Sequence, residues 1–517
     1  MPLLSFFNFY FFLKVINKNF YFFFFFQIMN KINNENPNKV NVNNENDNYK
    51  SVFDDFEELK IPKDNKENEI NGFTILEPDI RKNKSVNEIS QVSELIKSSV
   101  VFFPKNNYSF FSSLKSITST LIYNHIISNI KLNLNEIKEP FVIFDKILDK
   151  NKLTTFKLQL LTFLYMSYRN NFTNLKQIEG GNYTTDCGWG CMLRSSQMLV
   201  SKGLIERKIY KNKIKDLNKN DLNTIRKDVL ICFLDDTISI ENILSNIDYQ
   251  YFLNQYKKLC QFDMRYYSLT EIIPPFSIQM LCKIGKCSGQ FTSDINMIKT
   301  FMKINKEMFN DLEFIHFECG TLYKEKILKV CCEELFCSCN NNNFSILEDN
   351  INDKSSICDN CFNECLLKNK ITADDILIEN KRKFLFNQSC IIFISFRLGL
   401  KEIHPDNIKI IPDLFMRFHN NLGFISGKEN KAFYFIGLNG EKLMFVDPHL
   451  NQVSIKGNLS DISSYFIKEI YLMDIKDISS ALTTGIIINT ISDLKTFFSD
   501  VNWFIKNHPF FLKYDDK

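Results

Sequence analysis

Residues 180–198 read GGNYTTDCGWGCMLRSSQM, and their centre is Gly188-Trp189-Gly190-Cys191. A glycine-rich loop runs into a cysteine, and the residues after it have the composition of a helix. Backbone N–H groups at a helix start favour negative charge, so a cysteine there loses its proton near neutral pH and becomes a nucleophile. The glycines leave room for a substrate backbone to approach. The competing reading is a buried core cysteine, since cysteine is among the most buried residue types. A base elsewhere in the chain decides between the two.

The clearest local signal downstream is a hairpin. Residues 432–438 (AFYFIGL) and 441–446 (EKLMFV) flank Asn439-Gly440. Two β-rich runs joined by Asn-Gly predict a tight turn with positive φ at both turn residues. The second strand runs into Asp447-Pro448-His449. Side chains two apart on an extended segment share a face. A carboxylate beside an imidazole fixes its tautomer and stabilises its protonated form. Among the six histidines, His125, His419 and His508 have no acid two residues away, and His404 has Asp406 but in a loop-like context. His316 sits in an apolar run and reads as core. His449 alone combines a strand to hold it with an acid at the right spacing, so Cys191 has a candidate base.

The remaining sequence frames this pair. A chain of 517 residues with 44% apolar residues can bury a sizeable core, and a net charge of +3 argues against a nucleic-acid surface. The 15 cysteines include an adjacent pair, Cys331 and Cys332, at spacings unlike a disulfide framework. They suit a reducing compartment, the cytosol. Residues 1–28 are strongly apolar in two blocks, and three readings stand: a membrane anchor, a signal segment, or an extension upstream of a start at Met29. Residues 29–95 form a polar tail, disordered by composition to about residue 72. Within it, Phe56-Glu57-Glu58-Leu59 follows two acids, and an aromatic, two spacers and an aliphatic can add to a sheet edge as an extended peptide. Residues 96–517 read as one domain. Helices are expected over residues 108–130, 158–168, 192–204 with Gly203 near its end, and 222–270. Two more follow Pro274-Pro275 and Ser293. Residues 390–396 (CIIFISF) read as a buried strand. Residues 333–383 interrupt the pattern as a Cys/Asn-rich insertion. Cys337, Cys339, Cys358 and Cys361 could hold zinc, but the first pair has one spacer where two to four are usual. An insertion without metal is the default.

In combination these motifs resemble the autophagins, the autophagy-related cysteine proteases. The resemblance rests on the opening stretch, on Arg397-Leu398-Gly399-Leu400, on Tyr434-Phe435-Ile436-Gly437 leading to Asp447-Pro448-His449, and on Phe276-Ser277-Ile278 and Tyr168-Arg169. It covers roughly residues 140–490. It implies an α+β, papain-like fold, its helical part carrying the nucleophile and an antiparallel sheet carrying the Asp/His pair. It further implies Cys191 as nucleophile, His449 as general base and acid, Asp447 as orienter, and Tyr168 with the Cys191 N–H at an oxyanion site. Trp189 and Gly190 would line a groove narrow enough to select glycine. The implied substrate is the ubiquitin-like autophagy modifier, cut after its C-terminal glycine. The cut matures the precursor or releases the modifier from phosphatidylethanolamine, so autophagic membranes are met only through the substrate. No cofactor is implied. The tail residues Phe56 and Leu59 would hold the modifier. Alternatives are a papain-like deubiquitinase and an inactive modifier-binding protein. The chain departs from the family pattern at Phe433, where a histidine is usual, and at Phe291, where a tryptophan would meet a cover loop near Ser426-Gly427-Lys428. Cys187 could form a regulatory disulfide with Cys191 or be an inert neighbour.

Overall fold

The strand Ser389–Arg397 is buried at every position except its last residue. Such a run with no exposed face belongs to an interior strand of a sheet covered on both sides. Its side chains alternate between two cores: Ile391 and Phe393 point into one, Cys390, Ile392, Ile394 and Phe396 into the other. The computed structural model describes residues 131–149, 151–172, 183–236, 238–239, 271–309, 311–335, 376–428, 430–455, 461–509 and 511–515. All lie in one compact unit, Pro104–Lys517. Residues 1–28, the tail with Phe56 and Leu59, the expected helix over 108–130 and the cysteines 337, 339, 358, 361 and 365 fall outside the described residues.

Besides four two-residue strands, the strands among the described residues are β1 (Phe141–Ile143), β2 (Lys146–Leu148), β3 (Tyr168–Asn170), β4 (Leu312–Phe317), β5 (Cys332–Glu334), β6 (Ile376–Glu379), β7 (Arg382–Phe386), β8 (Ser389–Arg397), β9 (Asn421–Lys428), β10 (Lys431–Asn439), β11 (Lys442–Val446), β12 (Asn451–Val453), β13 (Tyr471–Asp474) and β14 (Ala481–Ile488). The main sheet is nine-stranded, in the order β13-β11-β10-β9-β14-β8-β4, with β1 added to β10 and β2 to β1. It is antiparallel except that β4 runs parallel to β8. The helices are α1 (Leu153–Gln159), α2 (Cys191–Lys211), α3 (Lys219–Leu230), α4 (Ile278–Gly285), α5 (Asp294–Met308), α6 (Lys324–Cys331), α7 (Ile410–Arg417) and α8 (Ile491–Asn507). One core packs residues of α2, α3, α4 and α5 on the sheet, and the other packs residues of α6, α7 and α8 on its opposite face. Ser277 and Ser293 cap α4 and α5 by accepting the N–H of Met280 and of Asn296.

Several expectations are corrected. Residues 158–168 are not one helix: α1 ends at Gln159 and an irregular buried segment leads to β3. Its backbone donors find partners across the fold. Leu164 N–H donates to Ser201 Oγ at 3.1 Å. Tyr165 N–H donates to the Tyr465 carbonyl at 2.9 Å and Tyr168 N–H to the Pro448 carbonyl at 2.8 Å. The helix from Cys191 passes through Gly203 to Lys211. Gly203 is there because α2 presses on the sheet: a Cβ would lie 2.3 Å from Ile391 Cδ1. Helix after 222 stops at Leu230, and Ile238–Ser239 pairs with Glu271–Ile272 as a short ladder.

The hairpin β10–β11 forms, but Asn439 pairs with Lys442 and the turn residues are Gly440 and Glu441. Gly440 has φ 61° and Asn439 stays extended, because its side chain accepts Lys138 N–H at 2.7 Å. One glycine at the first turn position is the II′ pattern rather than I′. Ser426–Lys428, expected in a cover loop, is the regular end of β9, paired with Phe433, Ala432 and Lys431. The hydroxyl of Ser426, donating to the Ala481 carbonyl at 2.8 Å, pins it to the next strand. The two ends of the 333–383 segment are also ordered, as the three-stranded sheet β5-β7-β6.

Candidate active site

Cys191 is the first residue of α2, and its side chain is buried with Tyr168 and Ala432. The loop before it is shaped by two different glycines. Gly188 has φ 86°, which a side chain rarely adopts. Gly190 has an ordinary φ of −85°. What it requires is space, since a Cβ would lie 2.3 Å from Asp186 Oδ2. The room beside Gly190 is therefore taken by Asp186 rather than left open. Trp189 is buried, donates its indole N–H to the Thr185 carbonyl at 3.2 Å and packs its ring on Tyr183 at 5.7 Å. Tyr183 in turn lies against Gly289, and Phe291 just beyond is 61% exposed.

Asp447, Pro448 and His449 follow the last residue of β11. The sequence argument placed both side chains on one strand face, but the strand has ended. A local turn does the work instead: Asp447 Oδ1 accepts the backbone N–H of His449 at 2.8 Å and Nδ1–H of its ring at 2.5 Å. The ring then stands edge-on to Tyr168, with centroids 5.3 Å apart, and against Phe433 at 5.4 Å. Phe433 thus walls one side of the imidazole with apolar surface.

Cys191 packs with Tyr168 and Ala432, and the His449 ring, the Ala432 backbone N–H and the Tyr168 hydroxyl all favour its charged form. Burial works against a thiolate here. The hydrogen bond and charge of His449, with the other two donors, outweigh it, and Cys191 lies below the ordinary cysteine value. Burial likewise works against an imidazolium, and the Asp447 carboxylate together with Cys191 raises His449 to about 9. Both shifts favour a thiolate–imidazolium pair, which titrates as a unit. Tyr168 is held well above its ordinary value by burial and by the charge of Cys191, so its hydroxyl stays a donor.

Sequence reading missed the groups that fix this arrangement. Asp186 is fully buried; its Oδ1 accepts Arg169 N–H at 2.7 Å, and its carbonyl accepts Gly190 N–H at 2.9 Å. Arg194 lies between two carboxylates, 2.8 Å from Asp186 and 2.7 Å from Asp235. Asp186 stood in the quoted stretch, but nothing local marks it as the link between Tyr168-Arg169 and the cysteine loop. Ala432 contributes only a backbone N–H, which has no sequence signature. Two other histidines also carry acids, from across the fold: His419 with Asp500 at 3.0 Å and His508 with Asp413 at 2.9 Å. His316 is a buried core residue, bonded to Ser395 at 2.8 Å and lowered to about 4 by burial. Among the described residues no group of three or more metal donors occurs. No helix among them is long and apolar enough to cross a membrane.

A thiol at a helix start, paired with an imidazole whose other nitrogen bonds a carboxylate, on an α+β frame of helices against a sheet, defines a papain-like cysteine peptidase. The chain belongs to the peptidase C54 family, the autophagins: residues 153–500 match the peptidase C54 catalytic domain. It is similar to cysteine protease ATG4B of Gallus gallus, 26% identical over 371 residues, 69% of this chain and 79% of the relative. It is also similar to cysteine protease ATG4A of Mus musculus, 23% identical over 327 residues, 62% of this chain and 67% of the relative. Cysteine protease ATG4C of Homo sapiens is 21% identical over 372 residues, 68% of this chain and 72% of the relative.

Proposed function

We propose that this cysteine peptidase cuts after the C-terminal glycine of the ubiquitin-like autophagy modifier, maturing its precursor and releasing it from phosphatidylethanolamine. The observation that carries the reading is Cys191 at the start of α2 with His449, whose ring is bonded to Asp447, each shifted towards its charged form. Cys191 attacks the glycine carbonyl and the oxyanion is met by the Tyr168 hydroxyl and the Cys191 N–H. His449 gives its proton to the departing amine, of a peptide or of the lipid headgroup, leaving a thioester. His449 then takes a proton from water, which attacks the thioester and frees the modifier's carboxylate and the thiol. Asp447 keeps the His449 tautomer and orientation throughout. The buried Trp189 and the closely packed Gly190 support a narrow approach that suits glycine. Residues 96–517 form the peptidase domain, and Phe56 and Leu59 of the tail hold the modifier. The enzyme works in the cytosol and meets membranes through its conjugated substrate.

The test is incubation of the full chain with the modifier carrying a C-terminal tag, with the modifier conjugated to phosphatidylethanolamine in vesicles, and with C-terminally extended ubiquitin. Release from both modifier substrates, abolished in Cys191→Ala, is expected. Cleavage of ubiquitin alone would establish a deubiquitinase, and binding of the modifier without cleavage an inactive sequestering protein. Phe56→Ala with Leu59→Ala should weaken modifier binding several-fold while leaving Cys191 alkylation unchanged; unaltered binding removes the tail from the proposal.

A further inference from the structure

The carboxylate of Asp447 is held to His449 through one of its two oxygens. Its Oδ1 serves the His449 N–H and ring, while its Oδ2 is buried with no hydrogen-bond partner among the described residues. Among the described residues no second side chain bonds the carboxylate. The strand does not fix it either, since β11 ends at Val446. Pro448 has no N–H to give a ladder. The direction of the carboxylate therefore depends on the turn that brings the His449 N–H to Oδ1, and so on the backbone of Asp447 and Pro448. Both carbonyls of that dipeptide are taken by one segment: Tyr165 Oη donates to the Asp447 carbonyl at 2.9 Å, and Tyr168 N–H donates to the Pro448 carbonyl at 2.8 Å. The same segment carries Tyr168, which packs with Cys191. β12, just past His449, pairs with β3 through Asn451 and Tyr168.

We infer that Tyr165 is a positioning residue for the Asp447–His449 pair, acting through the Asp447 carbonyl. The inference rests on the reading of Cys191, His449 and Asp447 given above. Tyr165 is buried and its phenol stays protonated, so it is a permanent donor. Removing its hydroxyl leaves a buried carbonyl unsatisfied and frees the peptide plane to turn. The carboxylate then swings off the ring, and the imidazolium loses the partner that raises it.

Two measurements on the full chain test this. The first is the pH dependence of Cys191 alkylation and of modifier cleavage in wild type and Tyr165→Phe. Expected for Tyr165→Phe are a fall in kcat of roughly 5- to 20-fold, with KM within about twofold. The alkaline limb of cleavage should also move down from about 9 towards the ordinary histidine value. Tyr434→Phe is the matched control, since it removes an equally buried hydroxyl from a carbonyl, that of Leu422. It should lower thermal stability and leave the limb in place. The second measurement is the double variant Tyr165→Phe with Asp447→Asn. If Tyr165 acts through Asp447, the two losses combine to less than their product. A Tyr165→Phe limb identical to wild type, or losses that multiply, overturns the inference alone. A wild-type Cys191 that alkylates like an ordinary thiol overturns the site reading and this inference with it.

Discussion

At Cys191 charge is decided by competition between burial and three donors, and the outcome has a pH signature. Cys191 is lowered and His449 raised to about 9, so thiolate and imidazolium coexist between the two. Cleavage needs both. It should rise as pH passes upward through the lowered thiol value and fall as pH passes about 9, where the proton for the leaving amine is lost. Alkylation by iodoacetamide needs the thiolate alone and should show only the acid limb. In His449→Ala that limb should shift upward towards ordinary cysteine behaviour, because the group that outweighs burial is gone. An unshifted limb would mean that the helix start and Ala432, not His449, ionise the thiol. The residues of this site were legible in sequence to different degrees. Cys191 and the Asp447–His449 pair each sit in a compact local signature. Arg194, Asp235, Ala432 and Tyr165 have partners tens to hundreds of residues away, and Asp186 links Arg169 and Arg194, 17 and 8 residues from it; no local pattern encodes such contacts.

Among the elements, the sheet carries an instructive glycine. Gly437 ends the Tyr-Phe-Ile-Gly run on β10 at an irregularity in its pairing with β11. A Cβ there would stand 1.9 Å from the Val142 carbonyl oxygen and 2.9 Å from Met444 Cε. The first obstacle is backbone of β1, which cannot rotate away. Gly437→Ala should therefore destabilise the fold by about 3 kcal/mol, read as a lowered urea midpoint. A loss under about 0.5 kcal/mol would show that β1 can peel from β10 without cost. A smaller effect is expected at the start of α8, where the Thr490 hydroxyl accepts Asp493 N–H and Asp493 answers at the Thr490 N–H. Thr490→Ala should cost about 1 kcal/mol. Elements with strong local chemistry were the readable ones: the glycine hairpin, the serine-capped helices and the strand at residues 389–397. The irregular segment after Gln159 was misread as helix because it is apolar throughout. Apolar composition reports burial, and here tertiary bonds from Ser201, Tyr465 and Pro448 replace the helical ladder.

For the molecule as a whole, the helical layer must be held in register with the sheet that bears the imidazole. Fold class followed from the resemblance to the autophagins, but the strand order did not follow from local pattern, because β14 inserts between β9 and β8 from far downstream. Arg194 is one link between the cysteine loop and the helical layer. From the first turns of α2 it reaches Asp186 in the loop and Asp235 beyond α3. Asp235 Oδ1 accepts Ile278 N–H at the start of α4, at 3.0 Å. Replacing Arg194 with methionine keeps apolar volume but strands two buried carboxylates. The expected loss is about 3–5 kcal/mol at neutral pH, by chemical denaturation. Its pH dependence is the discriminating measurement. Burial already raises Asp186 above the ordinary carboxylate value in the presence of Arg194. Without the guanidinium it rises further. A carboxyl raised in the folded state binds its proton more tightly there than in the unfolded chain, so its stabilising effect is present at low pH and lost as pH climbs through the raised value. The difference in stability between wild type and Arg194→Met should therefore shrink as pH falls from 8 towards 5. A difference that stays constant over that range would mean that the two carboxylates find water or other donors in the variant. In that case Arg194 serves packing rather than charge.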